Sequence, residues 1–526
     1  MLLSPLIVAS DENSAEEWGW DRFHGVDLDV DADGSADKIN NSEGSRLAAL
    51  DEYFARSREE WNVPGMAIAI VKDDIVVFSK GYGVRDSQNS LPVTNQTRFA
   101  IASNTKAFTA TALSVLNDAG VLNLNDKVQK WMPEFKLKDE LAGKELNIVD
   151  LLSHRIGFES FQGDFTYWSS NLTRAEVIQK MSLINAPYSF RTRWGYCNAA
   201  YVTAGELIPR VIGENWEDTV KDSILVPLKM DRTIMLSEDL DKASNYAKPH
   251  SIIDDELTEI PIARMNNLAA AGSMSSSVKD MTRWLIAQLN NGNVNGEQVL
   301  SPRSILRIRS SSSMLGIDTR NYQKTHFYLY GMGLMINDRD GKLVYSHTGG
   351  VDCFVSSVLF VPEEKLGIVV LTNTDQNNFY QDLTDEIRDS FLGMPYQDYS
   401  KNSLEAFKQN KLAQAQKIDS LKKVVQLKNE TSLSLNKFTG DYSNDVYGRI
   451  TLKLKNEVLN ISFSNHPNLR AKLEHLQDDN FLCTFSIPIF GTTEMPFKVE
   501  NGKVSGLTLK VADFIEFTPY QFRKID

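Results

Sequence analysis

Cysteine is close to absent from this 526-residue chain, occurring only as Cys197, Cys353 and Cys483. An odd count with such wide gaps indicates neither a disulfide framework nor a zinc site. Histidine is also sparse, with seven scattered residues where a metal hydrolase would need clustered ligands. The Gly-x-Ser-x-Gly elbow of the Ser-His-Asp hydrolases does not occur. No apolar run approaches the roughly 18 residues that span a bilayer, so no transmembrane helix is expected. A basic excess is missing too: 56 Lys and Arg stand against 69 Asp and Glu, a formal charge of −13. Nucleic acid, which calls for a basic patch or stripe, is therefore not an expected partner. The opening Leu2 to Ala9 has no basic flank and contains Pro5, so it is a poor signal peptide as it stands and reads at most as the remnant of one.

The charge is uneven. The first 45 residues carry 11 acidic and 2 basic side chains, so the remainder is close to neutral. Residues 1–45 hold few core-forming residues and read as an acidic extension. Within it Asp29, Asp31, Asp33 and Asp37, with Gly34 at the sixth position, resemble the first part of a calcium loop. The twelfth position is Asn40, not the bidentate glutamate of an EF-hand, so an acidic segment without fixed structure is the competing reading and the better fit.

From Ser45 onward the pattern becomes globular. Leu47, Leu50 and Phe54 share one face of a helix, and Met66–Val71 and Ile75–Phe78 flank Lys72-Asp73-Asp74 as a hairpin. Helices are expected near Ser103 and over 147–154, 174–181, 199–212 and 278–290. Apolar strands follow over 355–360 and 367–372, then a helix around 380–392. Residues 399–432 read as a linker helix. Beyond Leu433 the period changes to two, in 450–454, 459–463 and 507–509, with turn signals at Asn456 and Asn501-Gly502.

The residues that point to chemistry begin with Ser103 and Lys106, three positions apart at the head of an apolar helix, and so on one face. A serine hydroxyl is a poor nucleophile until a base takes its proton. A lysine can be that base only where burial or nearby positive charge lowers its pKa. Phe108, Ala112, Val115, Leu116 and Ala119 recur at helical spacing and would supply the burial. Ser-x-x-Lys recurs at Ser276/Lys279, Ser420/Lys423 and Ser434/Lys437, but Ser276 reads as a helix cap and the others as solvated. Only Ser103 has partners in order downstream: Tyr196-Cys197-Asn198, then His347-Thr348-Gly349-Gly350 running on from an apparent strand.

This ordered set resembles the penicillin-recognising serine hydrolases, in particular the branch holding class C β-lactamases, D-amino-acid peptidases and related esterases. The resemblance implies an α+β fold, with an antiparallel sheet flanked by helices and a helical insertion over 46–398. The tail, 433–526, is similar to the small lipocalin-like β-barrel appended to some members. In the family's terms Ser103 would form an acyl-enzyme, and Lys106 and Tyr196 would share the proton work, with the base left open between them. The backbone N–H groups of Ser103 and Gly350 would form the oxyanion hole. Asn198, His347, Thr348 and Gly349 would meet the substrate. His154, in a Leu-Leu-Ser-His stretch that also resembles the family, reads as packing.

The departure is His347, where β-lactamases carry lysine. A largely neutral imidazole cannot replace a permanent charge facing a carboxylate, which disfavours efficient β-lactam hydrolysis. The implied substrate is a small amide or ester, with a peptidase of D-amino-acid-containing peptides as one form. Carboxylesterase, weak β-lactamase and a catalytically silent binding protein stay open. No cofactor is required for this chemistry. Family habit implies a periplasmic or secreted location. The sequence leaves a Cys197–Cys353 pairing and the oligomeric state undecided.

Overall fold

The computed structural model describes residues 43–253, 256–317, 325–375 and 377–525. The calcium candidates Asp29, Asp31, Asp33 and Asp37 lie outside the described residues. The chain divides into two compact units. One is the described part of Met1–Asn62 with Asn377–Gln414, and the other is Val63–Gln376 with Ala415–Asp526.

In the first unit, helix Glu43–Glu60 packs against helix Phe379–Phe391. Buried polar groups tie it together: the Tyr53 hydroxyl accepts from the Ser400 N–H, and Trp61 Nε1 donates to Ser400 Oγ. Glu386 accepts the N–H groups of Gln397 and Tyr399, and burial pushes its carboxyl up to about 8.

The second unit is built on a nine-stranded antiparallel sheet. Its strands are β1 (Gly65–Lys72), β2 (Ile75–Asp86), β3 (Leu91–Pro92), β4 (Ser313–Ile317), β5 (Phe327–Tyr330), β6 (Met335–Arg339), β7 (Lys342–Val351), β8 (Phe354–Val361) and β9 (Leu366–Thr372). They lie in the order β4-β5-β6-β7-β8-β9-β1-β2-β3. The centre is covered on both faces, so β1, β8 and β9 are near-continuous apolar runs with little alternation. Asp73 and Asp74 both take positive φ, the geometry of the tight turn whose twist matches a hairpin.

The helices between β3 and β4 include α1 (Thr105–Asp118), α2 (Ile148–Leu152), α3 (Asp164–Tyr167), α4 (Arg174–Met181), α5 (Asn198–Ile212) and α6 (Val278–Leu289). Helix α6 packs on β1 and β9, and its Trp284 stacks on Phe108 of α1 with ring centroids 4.3 Å apart. Hence α1 is buried along its first ten residues, Lys106 among them. Ser276 is not the cap of α6. It sits in a two-residue strand paired with Phe99, its hydroxyl 2.8 Å from that of Thr233. The cap is Ser277, whose side chain accepts the Asp280 N–H, because the extended backbone at 275–276 places the next residue at the helix mouth.

The C-terminal strands β10 (Gly440–Asn444), β11 (Gly448–Lys455), β12 (Val458–Phe463), β13 (Arg470–Gln477), β14 (Asn480–Phe485), β15 (Thr492–Glu500), β16 (Lys503–Leu509) and β17 (Tyr520–Ile525) form a closed barrel. Pairing of β10 with β17 closes it and leaves no edge. The inward positions are the alternate apolar residues, such as Ile450, Leu452, Leu459 and Ile461. All three cysteines are free thiols, so the Cys197–Cys353 pairing does not form. Cys353 Sγ instead donates to Asp375. Among the described residues no helix is long and apolar enough to cross a membrane.

Replacing Ser277 with Ala removes the α6 cap and is expected to cost about 1 kcal/mol, read as a lowered urea midpoint at unchanged slope. Ser434→Ala, at one of the solvated Ser-x-x-Lys serines, serves as the reference and should leave the midpoint in place.

Candidate active site

Ser103 lies in a turn, Ala102–Asn104, that feeds directly into α1. Ala102, just before it, has φ +46°, a left-handed conformation that L side chains adopt at a cost of about 1–2 kcal/mol. The surroundings hold that conformation. Asn104 Nδ2 donates to Ser356 Oγ, and Ser356 Oγ donates to the Ile101 carbonyl, so β8 grips the turn from below. Strand β7 passes so close that a Cβ on Gly349 would stand 2.1 Å from the Ile101 oxygen. The expected substrate contact Gly349 is thus used for packing, while Thr348 and Gly350 on either side are partly exposed.

Lys106 follows one turn later and is wholly buried. Its Nζ lies 3.0 Å from Ser103 Oγ, 2.7 Å from Asn198 Oδ1 and 2.8 Å from the Ala271 carbonyl. It also rests 4.7 Å from the ring centroid of Tyr196. Desolvation lowers its pKa to about 7, against the opposing pull of Asp164. Two of the three contacts, an amide oxygen and a backbone carbonyl, can only accept. A neutral amine therefore directs both its N–H bonds at them and keeps its lone pair for the Ser103 hydroxyl.

Tyr196 and Asn198 stand at the entry to α5. The Tyr196 N–H donates to Ser160 Oγ and its carbonyl accepts from Phe161 N–H. The phenol is buried, which holds its pKa well above the usual value, with the Ser103 hydrogen bond pulling the other way. Asn198 has both ends of its amide occupied, Oδ1 by Lys106 and Nδ2 by Asp164 Oδ2 at 2.6 Å. Its side chain is thus built into the lysine's surroundings, with one lone pair and one N–H left over. Burial raises Asp164 to about 7.

His347 lies on β7, nearly buried. Its Nδ1 is 2.6 Å from the Thr348 carbonyl, which can only accept, so the proton resides on Nδ1. Nε2 is then a bare acceptor for the Tyr330 hydroxyl at 3.0 Å. Burial, with Lys106 nearby, drives its pKa down to about 3. The ring is neutral, with both nitrogens engaged. His154 packs as expected, its ring 4.4 Å from that of Tyr196 and 5.0 Å from that of Tyr330. It also takes the Cys197 N–H on Nδ1, which fixes the backbone between Tyr196 and Asn198.

The residues that sequence reasoning missed are Asp164, Tyr330 and Phe161. The only sequence signal for Asp164 was a lone carboxylate inside the aromatic stretch Phe161 to Trp168. Phe161 packs on Tyr196 at 5.3 Å and on Phe517 of the barrel at 5.5 Å, so the wall beside the phenol is partly made by the C-terminal domain. Among the described residues no group of His, Cys, Asp and Glu is arranged to hold a metal ion.

Two family models match the chain: Beta-lactamase over residues 50–391, and a domain of unknown function, DUF3471, over 426–524. Protein flp of Staphylococcus aureus (strain COL) is 30% identical over 330 residues, 62% of either chain. The unguisins hydrolase ungD' of Aspergillus campestris is 28% identical over 357 residues, 63% of either chain. The match thus spans less than two thirds of these relatives. Among solved structures, the octameric penicillin-binding protein homologue from Pyrococcus abyssi has a TM-score of 0.57 at 22% identity, covering 91% of this chain and all of the other. A D-stereospecific amidohydrolase from Streptomyces has a TM-score of 0.54 at 21% identity, covering 66% and 99%. These two show a shared fold. The first family model takes in Ser103, Lys106, Tyr196 and His347 in one continuous match, and on that ground the chain belongs to the beta-lactamase family.

Proposed function

We propose that this protein is a serine acyl hydrolase acting through an acyl-enzyme on small amide or ester substrates without a carboxylate at the third-motif side of the cleft. The observation that carries the reading is the buried Lys106 amine, 3.0 Å from Ser103 Oγ with its other two hydrogen bonds spent on obligate acceptors. In this scheme neutral Lys106 takes the Ser103 proton and Oγ bonds to the carbonyl carbon. The oxyanion forms between the N–H groups of Ser103 and Gly350. Collapse breaks the bond to the leaving group, which takes the Tyr196 proton, and the Lys106 ammonium reprotonates the phenol. Water then cleaves the ester by the reverse relay. Tyr196 acts as a relay and not as the resting base, because its burial keeps the phenol protonated. Every proton is handled by side chains and water.

The neutral His347 carries the substrate preference. With one nitrogen given to Thr348 and the other to Tyr330, it has neither charge nor a free N–H for a carboxylate. Neutral esters, amides and peptides are favoured over β-lactams. Names among the relatives and neighbours, a hydrolase and a D-stereospecific amidohydrolase, are in keeping with hydrolysis.

A fluorophosphonate probe should give one adduct, located on Ser103 by peptide mass spectrometry and absent from Ser103→Ala. Failure to label well-folded protein would favour the silent binding protein.

The labelling rate should climb by about tenfold per pH unit below pH 7 and level off above it. The sign follows from Lys106: its ammonium below about 7 has no lone pair, and its amine above does. Lys106→Arg, which stays protonated, should slow labelling by about 100-fold or more at every pH.

A chromogenic cephalosporin should be hydrolysed less efficiently than a neutral acyl ester by about 10- to 100-fold, the worth of one charged hydrogen bond. Equal kcat/KM values would refute the role given to His347.

A further inference from the structure

The turn that carries Asp164 is held from outside the catalytic domain. Phe165, the next residue, inserts its ring into the mouth of the barrel, stacked on Tyr520 at 5.7 Å and on His466 at 4.9 Å. Phe463 and Phe490 meet the same ring edge-on at 5.8 and 5.9 Å. Glu516, in the barrel's last connection, is completely buried and grips the backbone at this point. Its Oε1 accepts the Gly163 N–H at 2.7 Å and its Oε2 the Phe165 N–H at 3.1 Å, one on each side of Asp164. Tyr447 donates its hydroxyl to Oε1 at 2.7 Å.

Gly163 has φ +98°, and an added Cβ there would stand 2.7 Å from Ile184 Cδ1, so the turn has one narrow conformation that side chains cannot easily reproduce. One turn on, Trp168 Nε1 donates to Asp352, just beyond the oxyanion strand β7, and its ring meets Phe514 of the barrel. The barrel therefore touches a segment whose carboxylate faces Asn198, whose amide in turn faces Lys106.

We propose that Glu516 is a positioning residue for the catalytic lysine: it bolts the peptide N–H groups on both sides of Asp164, and Asp164 holds Asn198 with its carbonyl oxygen turned to Lys106. The barrel is then a part of the active site and not an appended binding module. This rests on the acyl hydrolase reading of Ser103 and Lys106. The chemistry of the clamp is specific. Its two carboxyl oxygens take three donors, the Gly163 and Phe165 N–H groups and the Tyr447 hydroxyl, whereas a glutamine of the same shape must turn an NH2, which cannot accept, toward one of them. A slackened turn releases Asp164, Asn198 is free to flip its amide, and the lysine loses both an acceptor and the negative charge that favours its ammonium.

The titratable groups facing Glu516 are Tyr447 and Tyr520 of the barrel and Tyr167 of the α3 segment, with no cation among them. Burial lifts the Glu516 carboxyl to about 8, so its three hydrogen bonds, and not an ion pair, are what keep it in place.

The test uses the full chain with Glu516→Gln, Phe165→Leu and the milder Tyr447→Phe. Labelling by the fluorophosphonate is followed to completion, so that the rate is expressed per competent site and misfolded protein is discounted. The expected result for Glu516→Gln is a fall of about 100-fold in rate, the cost of about 1 Å of misplacement. Its acid limb should also move to lower pH, because Lys106 has lost the support of Asp164. Tyr447→Phe should show a smaller change in the same direction. A change only in the fraction of sites that label, with rate and pH profile as in the unsubstituted protein, overturns the proposal.

A second readout needs no turnover: the pH titration of the Lys106 13Cε resonance in lysine-labelled protein, assigned by its loss in Lys106→Arg. Its midpoint should fall in Glu516→Gln, and an unmoved midpoint overturns the proposal. If the unsubstituted protein fails to label, the hydrolase reading falls, and the titration still decides whether the barrel positions the lysine.

Discussion

Everything in the second unit that concerns chemistry depends on keeping one lysine out of water. A buried ammonium is costly unless its hydrogens are accepted, and Lys106 finds three acceptors within 3.0 Å. The balance between desolvation and the opposing pull of Asp164 brings it to about 7, where amine and ammonium are both accessible at modest cost. More acceptor charge would hold it as a cation, and less would hold it as an amine. Asp164 supplies the counterweight without touching it, acting through the Asn198 amide.

The fold meets this requirement from several directions. Strand β7 and its partner β8 seat the Ala102 turn, α6 closes over α1 through Trp284, and His154 sets the backbone of the Tyr-x-Asn segment. Gly333 crowds the same helix, since a Cβ there would stand 2.7 Å from the Lys106 carbonyl carbon. Close backbone approach on several sides excludes water, which is what gives each hydrogen bond in the site its weight.

Aromatic packing links this centre to the barrel. Phe161 touches Tyr196 on one side and Phe517 on the other, and Phe165 sits among Tyr447, Phe463, His466, Phe490 and Tyr520. An aromatic ring buries a large area with little side-chain entropy to lose, which suits it to fixing one domain against another. Such long-range partners leave no periodic trace, and for that reason the barrel contacts of Phe161 and Phe165 were invisible in the sequence while Ser103 was not.

The sequence by itself determined many of the elements and the order of the motifs. Local spacing writes the hairpin at Asp73-Asp74, the apolar strands β8 and β9, the helix behind Ser103 and the period-two tail, because each depends on neighbours within a few residues. It also showed that His347 stands where a lysine would bring charge. The tertiary structure alone decided which hydrogen bonds those residues make. It assigned the Asn198 amide to Lys106 and Asp164, fixed the His347 proton on Nδ1, gave the α6 cap to Ser277 in place of Ser276 and left Cys197 and Cys353 apart. The physical reason is that a hydrogen bond is set by atoms within about 3 Å in space, and across the sheet, the helical layer and the barrel those atoms come from parts of the chain hundreds of residues apart.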